Sequence, residues 1–176
     1  MKKIKVMTVF GTRPEAIKMA PLAAELSRRA EIESICCVTA QHRQMLDSVL
    51  DVFSLKPEYD LNIMQEGQTL SSITARTITG MDAVLEEAQP DIVLVHGDTS
   101  TTFAGALSAF YHRVKVGHVE AGLRTYNKYS PYPEEMNRNL VSKIAELHFA
   151  PTRANAENLR RERIAGEVFI TGNTVI

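Results

Sequence analysis

Asp91-Ile92-Val93-Leu94-Val95-His96-Gly97-Asp98-Thr99 is the segment from which the rest of the chain can be placed. Four consecutive apolar residues leave no polar side for water, so both faces of this strand must be covered, as inside a parallel sheet. Gly97 ends the run, and Thr99 opens a helical stretch through Tyr111, giving a strand, a tight turn and a helix. The same order recurs upstream. Lys3–Phe10 reads as a strand and Gly11 as its turn, and Pro14 suits the first turn of a helix, where its missing N–H costs nothing. Ile17, Ala20, Pro21, Ala24 and Leu26 form the apolar stripe of that helix through about Arg29. Ile32–Thr39 is the next strand, Gln41–Val52 a helix and Asp60–Ile63 a short strand. Thr69–Ala88 is a long helix with Leu70, Ile73, Ile78, Met81, Val84 and Leu85 toward the core. Downstream, strands at Lys115–Val119, Leu147–Ala150 and Val168–Ile170 alternate with helices at Glu134–Ala145 and Thr152–Arg163. Such alternation predicts an α/β fold: a doubly wound, mainly parallel sheet.

Composition narrows the function classes. The 176 residues carry 20 Lys and Arg against 21 Asp and Glu, with 44% hydrophobic residues, as in an ordinary globular domain. One domain over 1–170 is expected, with 171–176 beyond it. No apolar run approaches the ~18 residues of a membrane-spanning helix. Met1-Lys2-Lys3-Ile4 runs straight into a strand pattern with no cleavage site, so it reads as the start of the fold and not as a signal peptide. Cys36 and Cys37 are adjacent; on a strand they point to opposite faces and cannot form an ordinary disulfide, which suits a reducing cytoplasm. The balanced charge gives no pull toward nucleic acid or acidic membranes.

In a parallel α/β sheet the ligand lies beyond the carboxyl ends of the strands. Gly11-Thr12-Arg13-Pro14-Glu15, Gly97-Asp98-Thr99, Glu120-Ala121-Gly122-Leu123-Arg124 and Pro133-Glu134-Glu135 all fall there. Neither G-x-G-x-x-G nor a Walker phosphate loop is present. Arg13 at a helix N-terminus suits a phosphate, or a neighbouring acid; Lys18 reads more simply as a solvated helix residue. Asp98 is either an N-cap or a catalytic acid, and Glu134 has a dipole-favoured place in a first turn. Glu120 has no such structural role to explain it. His96 with Asp98, and His118 with Glu120, each lie two apart, so four metal ligands could meet in a metallohydrolase. With no Cys-x-x-Cys or His-x-x-x-His beside them, hydrogen-bonded structural histidines are the simpler expectation, and no metal is expected. Tyr126, Tyr129 and Tyr132 suit stacking on a sugar or base, or pinning their loop. Arg160-Arg161-Glu162-Arg163 reads as a solvated helix face.

Six motifs in order carry a resemblance. They are Gly11-Thr12-Arg13-Pro14-Glu15-Ala16, Gln41-His42-Arg43-Gln44-Met45, Val95-His96-Gly97-Asp98-Thr99, His118-Val119-Glu120-Ala121-Gly122-Leu123-Arg124, Ser130 to Arg138 and Thr171-Gly172-Asn173-Thr174. Together they closely resemble the non-hydrolysing bacterial UDP-N-acetylglucosamine 2-epimerases. The resemblance implies two Rossmann-like domains in a GT-B arrangement, of which this sequence matches the first and stops at Ile176, where the crossover should begin. It implies UDP-GlcNAc and UDP as ligands, no cofactor, a second domain bringing most of the UDP-binding surface, a cytoplasmic homodimer, and a product destined for cell-envelope polysaccharides. The implied reaction inverts C2 by eliminating UDP, passing through 2-acetamidoglucal, and adding UDP back. A C2–H that is not next to a carbonyl is hard to remove directly. Cleaving C1–O instead builds positive charge that a carboxylate can stabilise, while a base takes the proton and an acid returns one.

By resemblance, Asp98, Glu120 and Glu134 are the expected catalytic carboxylates, Arg13 steadies the diphosphate, and Lys18 joins the site. Gln41, Gln44 and Arg76 are the expected contributors to an activating UDP-GlcNAc site. The 176 residues alone are expected to turn over little. The alternatives are a silent nucleotide-sugar-binding or assembly module and the metallohydrolase.

Overall fold

In a computed structural model, residues 2–40 and 43–175 are described, without the side chains of 43–45. The chain runs β1 (Ile4–Phe10), α1 (Arg13–Arg28), β2 (Ile32–Val38), α2 (Arg43–Val52), β3 (Tyr59–Asp60), α3 (Leu70–Ala88) and β4 (Ile92–His96). It continues α4 (Ser100–Tyr111), β5 (Lys115–Val119), α5 (Glu134–Ile144), β6 (Leu147–Ala150), α6 (Arg153–Arg161) and β7 (Glu167–Ile170). Every strand pairing is parallel, in the order β3-β2-β1-β4-β5-β6-β7. The sheet grows outward from β1 to β3, then the chain returns to the other side of β1 with β4. That reversal opens a crevice at the carboxyl ends of β1 and β4.

Because side chains alternate along a strand, each strand feeds two cores. Met7, Val9, Cys37, Val93, Val95 and Val116 lie under Met81 and Leu85 of α3, Ala106 and Ala109 of α4 and Val141 of α5. Val6, Phe10, Cys36, Val38, Leu94 and Val119 lie under Ala16 and Met19 of α1 and Leu46 and Val49 of α2. Cys36 and Cys37 are buried, unbonded and on opposite faces, as their adjacency requires. Among the described residues no helix is long and apolar enough to cross a membrane.

Three local readings change. The inward face of α1 is Glu15, Ala16, Met19, Ala20 and Ala23, while Ile17 is exposed. The cause is Glu15, whose carboxylate must turn inward to reach the amides of Gly11 and Thr12, and this rotates the helix about one position from the Ile17 stripe. Leu70 stands at the exposed first position of α3, behind the Thr69 cap, whose hydroxyl accepts from the Ser72 amide at 3.2 Å. The third strand is Tyr59–Asp60, because Asn62 turns into left-handed backbone at φ 45° and its amide donates to the Asp60 carboxylate.

Candidate active site

β4 and β5 end side by side, with His96 in register with Val119. Both chains then turn sharply. Gly97 takes φ 68°, and its amide donates to the Val119 carbonyl at 2.9 Å. Glu120 takes φ 64°, a conformation that costs an L-residue roughly 1–2 kcal/mol and persists where the surroundings over-determine it. The turn brings the Glu120 carboxylate to 3.5 Å from His96 Nε2, while its other oxygen accepts from Lys18 Nζ of α1. Lys18 is therefore three-quarters buried in a site ion pair and not a solvated helix residue. The crevice beside it is lined by His96, Val119, Glu120, Pro151, Gly172, Asn173 and Thr174. Burial pushes the His96 pKa down, with Lys18 adding to it and Glu120 and Glu15 opposing. His96 is thus neutral near pH 7, and its buried Nδ1 has no partner among the described residues.

Asp98 lies one turn further on. It is not the cap of α4: that is Thr99, whose hydroxyl accepts from the Thr102 amide. The Asp98 carboxylate instead accepts from Arg138 Nη1 of α5 at 3.2 Å, and its carbonyl accepts from Asn137 Nδ2 at 2.9 Å. Burial raises the Asp98 pKa, the Arg138 charge opposes, and Glu134, Glu120 and Glu15 add to the rise. Glu134, the first residue of α5, is half-buried, and its side chain makes no hydrogen bond or ion pair among the described residues.

Two buried acids hold this framework. Glu15 accepts from the Gly11 and Thr12 amides with one oxygen and from the Thr99 and Thr102 hydroxyls with the other, joining the first turn of α1 to that of α4. Glu135 accepts from the Thr125 and Tyr126 amides and from both Nε and Nη2 of Arg138 at 2.7 Å. Burial works against its charge, but the two amides and Arg138 outweigh it and hold its pKa below the usual value. Both acids had a readable signal: Thr12-x-x-Glu15 has the capping-box spacing, and Glu135-x-x-Arg138 is an i,i+3 pair.

The remaining expected residues fall as follows. Arg13 is exposed in the first turn of α1, and its side chain makes no hydrogen bond or ion pair among the described residues. Arg76, half-buried on α3, donates to the Ile63 carbonyl at 2.9 Å, beside the loop after β3 at the edge of the sheet. Gln41 lies outside the described residues, as does the side chain of Gln44. The proposed four-ligand metal set does not assemble. His118 is fully buried with Nε2 2.7 Å from the Gly97 carbonyl, so that nitrogen carries the proton, and burial pushes its pKa down to about 3. Asp98 is taken by Arg138, and no group of three or more potential ligands occurs among the described residues. Tyr126, Tyr129 and Tyr132 are exposed; Tyr126 is pinned by its hydroxyl to Asn158, and Tyr129 and Tyr132 tilt against each other at 6.4 Å. Arg124 does not face the rim: its side chain is fully buried, in a two-pronged pair with Glu162 at 2.7 and 2.9 Å. Glu162 is thereby more than part of a solvated face.

Residues 24–176 match the sequence profile of the UDP-N-acetylglucosamine 2-epimerase family. The chain is 63% identical to the UDP-N-acetylglucosamine 2-epimerase of Bacillus subtilis over 177 aligned positions, covering all of this chain and 47% of that protein. Among solved structures, the Neisseria meningitidis UDP-GlcNAc 2-epimerase bound to UDP-GlcNAc superposes with a TM-score of 0.93 at 58% identity, over 98% of this chain and 48% of that one. The Methanocaldococcus jannaschii UDP-GlcNAc 2-epimerase, in complex with UDP-GlcNAc and UDP, gives 0.90 at 37% identity, over 97% and 47%. The chain thus spans about half the length of the relatives it matches.

Proposed function

Because the chain belongs to the UDP-N-acetylglucosamine 2-epimerase family, we propose that it supplies one wall of the active site of an enzyme interconverting UDP-GlcNAc and UDP-ManNAc. The observation that carries this reading is the charge pattern at the carboxyl ends of β4 and β5. Asp98 lies within electrostatic reach of Glu120 and Glu134, and Lys18 and Arg138 are set against two of these three acids. Enzymes that move a proton on and off carbon need a group that can hold one and another that stays paired to charge. Asp98, with its raised pKa, suits the first task. Glu120, paired with Lys18 and beside His96, suits stabilising positive charge at C1. Glu134, whose side chain has no partner among the described residues, is the third member.

The steps balance without an outside reagent. One carboxylate takes the C2 proton, the C1–C2 double bond forms, and the C1–O bond breaks with UDP keeping its electron pair. In the return step UDP adds to C1 and a protonated carboxyl delivers a proton to the opposite face of C2. Arg13, at the N-terminus of α1 with no side-chain partner among the described residues, suits the departing diphosphate, where guanidinium and helix amides act together.

On the same reading, residues 1–170 belong to the first Rossmann-like domain of a GT-B arrangement, and the segment 171–176 starts the crossover to a second domain facing the crevice. The full protein would be a cytoplasmic homodimer binding UDP-GlcNAc and UDP. Arg76 with Gln41 and Gln44 would serve an activating site, and the 176 residues alone would bind weakly and turn over little.

The test is NMR of the full-length protein with UDP-GlcNAc in D2O. The expected result is UDP-ManNAc with deuterium at C2, abolished or strongly slowed by Asp98→Asn, Glu120→Gln and Glu134→Gln. No epimer and no deuterium from a folded full-length protein would refute the reading. UDP-GlcNAc binding without either would leave the silent binding module in its place.

A further inference from the structure

We propose that Glu135 and Arg138 are positioning residues for Asp98, a charged clamp on α5 that ties the 122–133 loop to the carboxyl group and sets where and how readily it takes a proton. The inference rests on the reading of Asp98 as a reacting acid.

The geometry is a chain of contacts from loop to acid. The amides of Thr125 and Tyr126 point at Glu135, which is 1% exposed. Glu135 grips Arg138, itself 6% exposed, by Nε and Nη2, so the guanidinium plane has no freedom to turn. The remaining terminal nitrogen, Nη1, is left to face Asp98 at the longer distance of 3.2 Å. A guanidinium shared this way presents only part of its charge to the second acid. The clamp is also braced from the neighbouring turn: Asn137 holds the Asp98 carbonyl, and Asn139 donates to the Glu135 carbonyl at 2.7 Å.

The balance at Asp98 follows. Arg138 is the cation that opposes protonation there, while Glu134 on α5, Glu120 after β5 and Glu15 on α1 favour it together with burial. A full, unshared guanidinium would favour the ionised form of Asp98; with none, burial and three acids would all favour the protonated form. Glu135 weakens the first extreme, and Arg138 prevents the second. The Tyr-bearing loop hangs from the same Glu135, so a ligand that moves the loop would move the guanidinium as well.

The two halves of the clamp should therefore err in opposite directions. In the full-length protein, the pH limb of kcat belonging to Asp98 should move to higher pH in Arg138→Gln and to lower pH in Glu135→Gln, each by about one unit, the scale of a single charge at this range. Arg138→Lys, keeping the charge but not the fork, should lie between Arg138→Gln and the unmodified protein. All three should lower kcat more than they raise KM. Adding Arg138→Gln to Asp98→Asn should move nothing further. A 13C-NMR titration of the Asp98 carboxyl in the same proteins reads the shift without turnover. A protein that makes no UDP-ManNAc yet shows opposite NMR shifts would sink the proposed function and keep the clamp. Shifts in one common direction, no shift, or a loss confined to KM would overturn the clamp. If Glu135→Gln does not fold, the order of Arg138→Gln, Arg138→Lys and unmodified protein decides alone: an absent or reversed order overturns it.

Discussion

Replacing Arg124 with methionine tests whether this arginine holds the fold or faces a ligand. Its side chain is fully buried and spends its donors on Glu162, on the Ser142 hydroxyl at 3.0 Å and on its own Leu123 carbonyl at 2.8 Å. Removing one partner of a buried ion pair costs about 3–5 kcal/mol, mostly by stranding the other charge. Glu162 keeps a fifth of its side chain in water and recovers part of that, so about 2–3 kcal/mol is the expected loss. With an m-value of about 2–3 kcal/mol/M, the urea midpoint should fall by about 1 M, and Tm by roughly 4–12 °C for a chain of this size. The double variant Arg124→Met, Glu162→Gln should regain at least half of the loss, because no charge is then stranded. A single-variant loss below about 0.5 kcal/mol, the range of an ordinary surface substitution, would refute the assignment. So would a double variant no better than the sum of its parts.

Other perturbations read other parts of the structure. Gly122→Ala places a Cβ 2.3 Å from the Asn155 carbonyl oxygen in backbone at φ 88°, and should cost about 2 kcal/mol or more in urea unfolding; a loss under about 0.5 would contradict the geometry. Lys18→Met removes the cation facing Glu120 and should lower kcat of the full-length protein about 10- to 100-fold while circular dichroism stays unchanged; unaltered kcat would remove Lys18 from the site. His118 titrates far below an unfolded histidine, so between its ordinary pKa of 6.5 and about 3 the unfolded chain binds a proton that the folded one does not. Stability contributed by neutral His118 is complete above that window and falls as pH drops through it; His118→Asn should flatten that stretch of the stability profile, and an unchanged slope would refute the assignment.

Sequence patterning located the sheet well, since apolar runs such as Ile92 to Val95 report burial on both faces wherever they occur. It located the site less completely. The positions of Asp98 and Glu120 after strand ends and of Glu134 at a helix start were legible in the pattern, and the resemblance is what joins the three as an expected catalytic set. Their partners were not legible, because pairing depends on register and backbone turn. Spacing of two on a strand suggested that His118 and Glu120 share a face, but the positive φ of Glu120 swings its carboxylate to His96 on the neighbouring strand. Lys18 read as solvated because nothing local shows that α1 lies against the end of β5. On α1 the apolar spacing points to an inward face through Ile17, whereas the satisfied carboxylate of Glu15 turns that face by one position.

The pairing of Lys18 with Glu120 joins residues 102 positions apart, and that of Glu15 with Thr99 residues 84 apart. Contacts of such separation carry the full loop-closure entropy of the chain between them and form only once β1, β4 and β5 are in register. The site is therefore a late product of folding, and it has no local fragment that could preserve it. Any partly folded state that releases one central strand loses the carboxylate cluster whole. Occupancy of the crevice by a ligand thus reports on the integrity of the entire sheet, and a substitution that weakens β1 would be felt as lost binding before any site residue is altered.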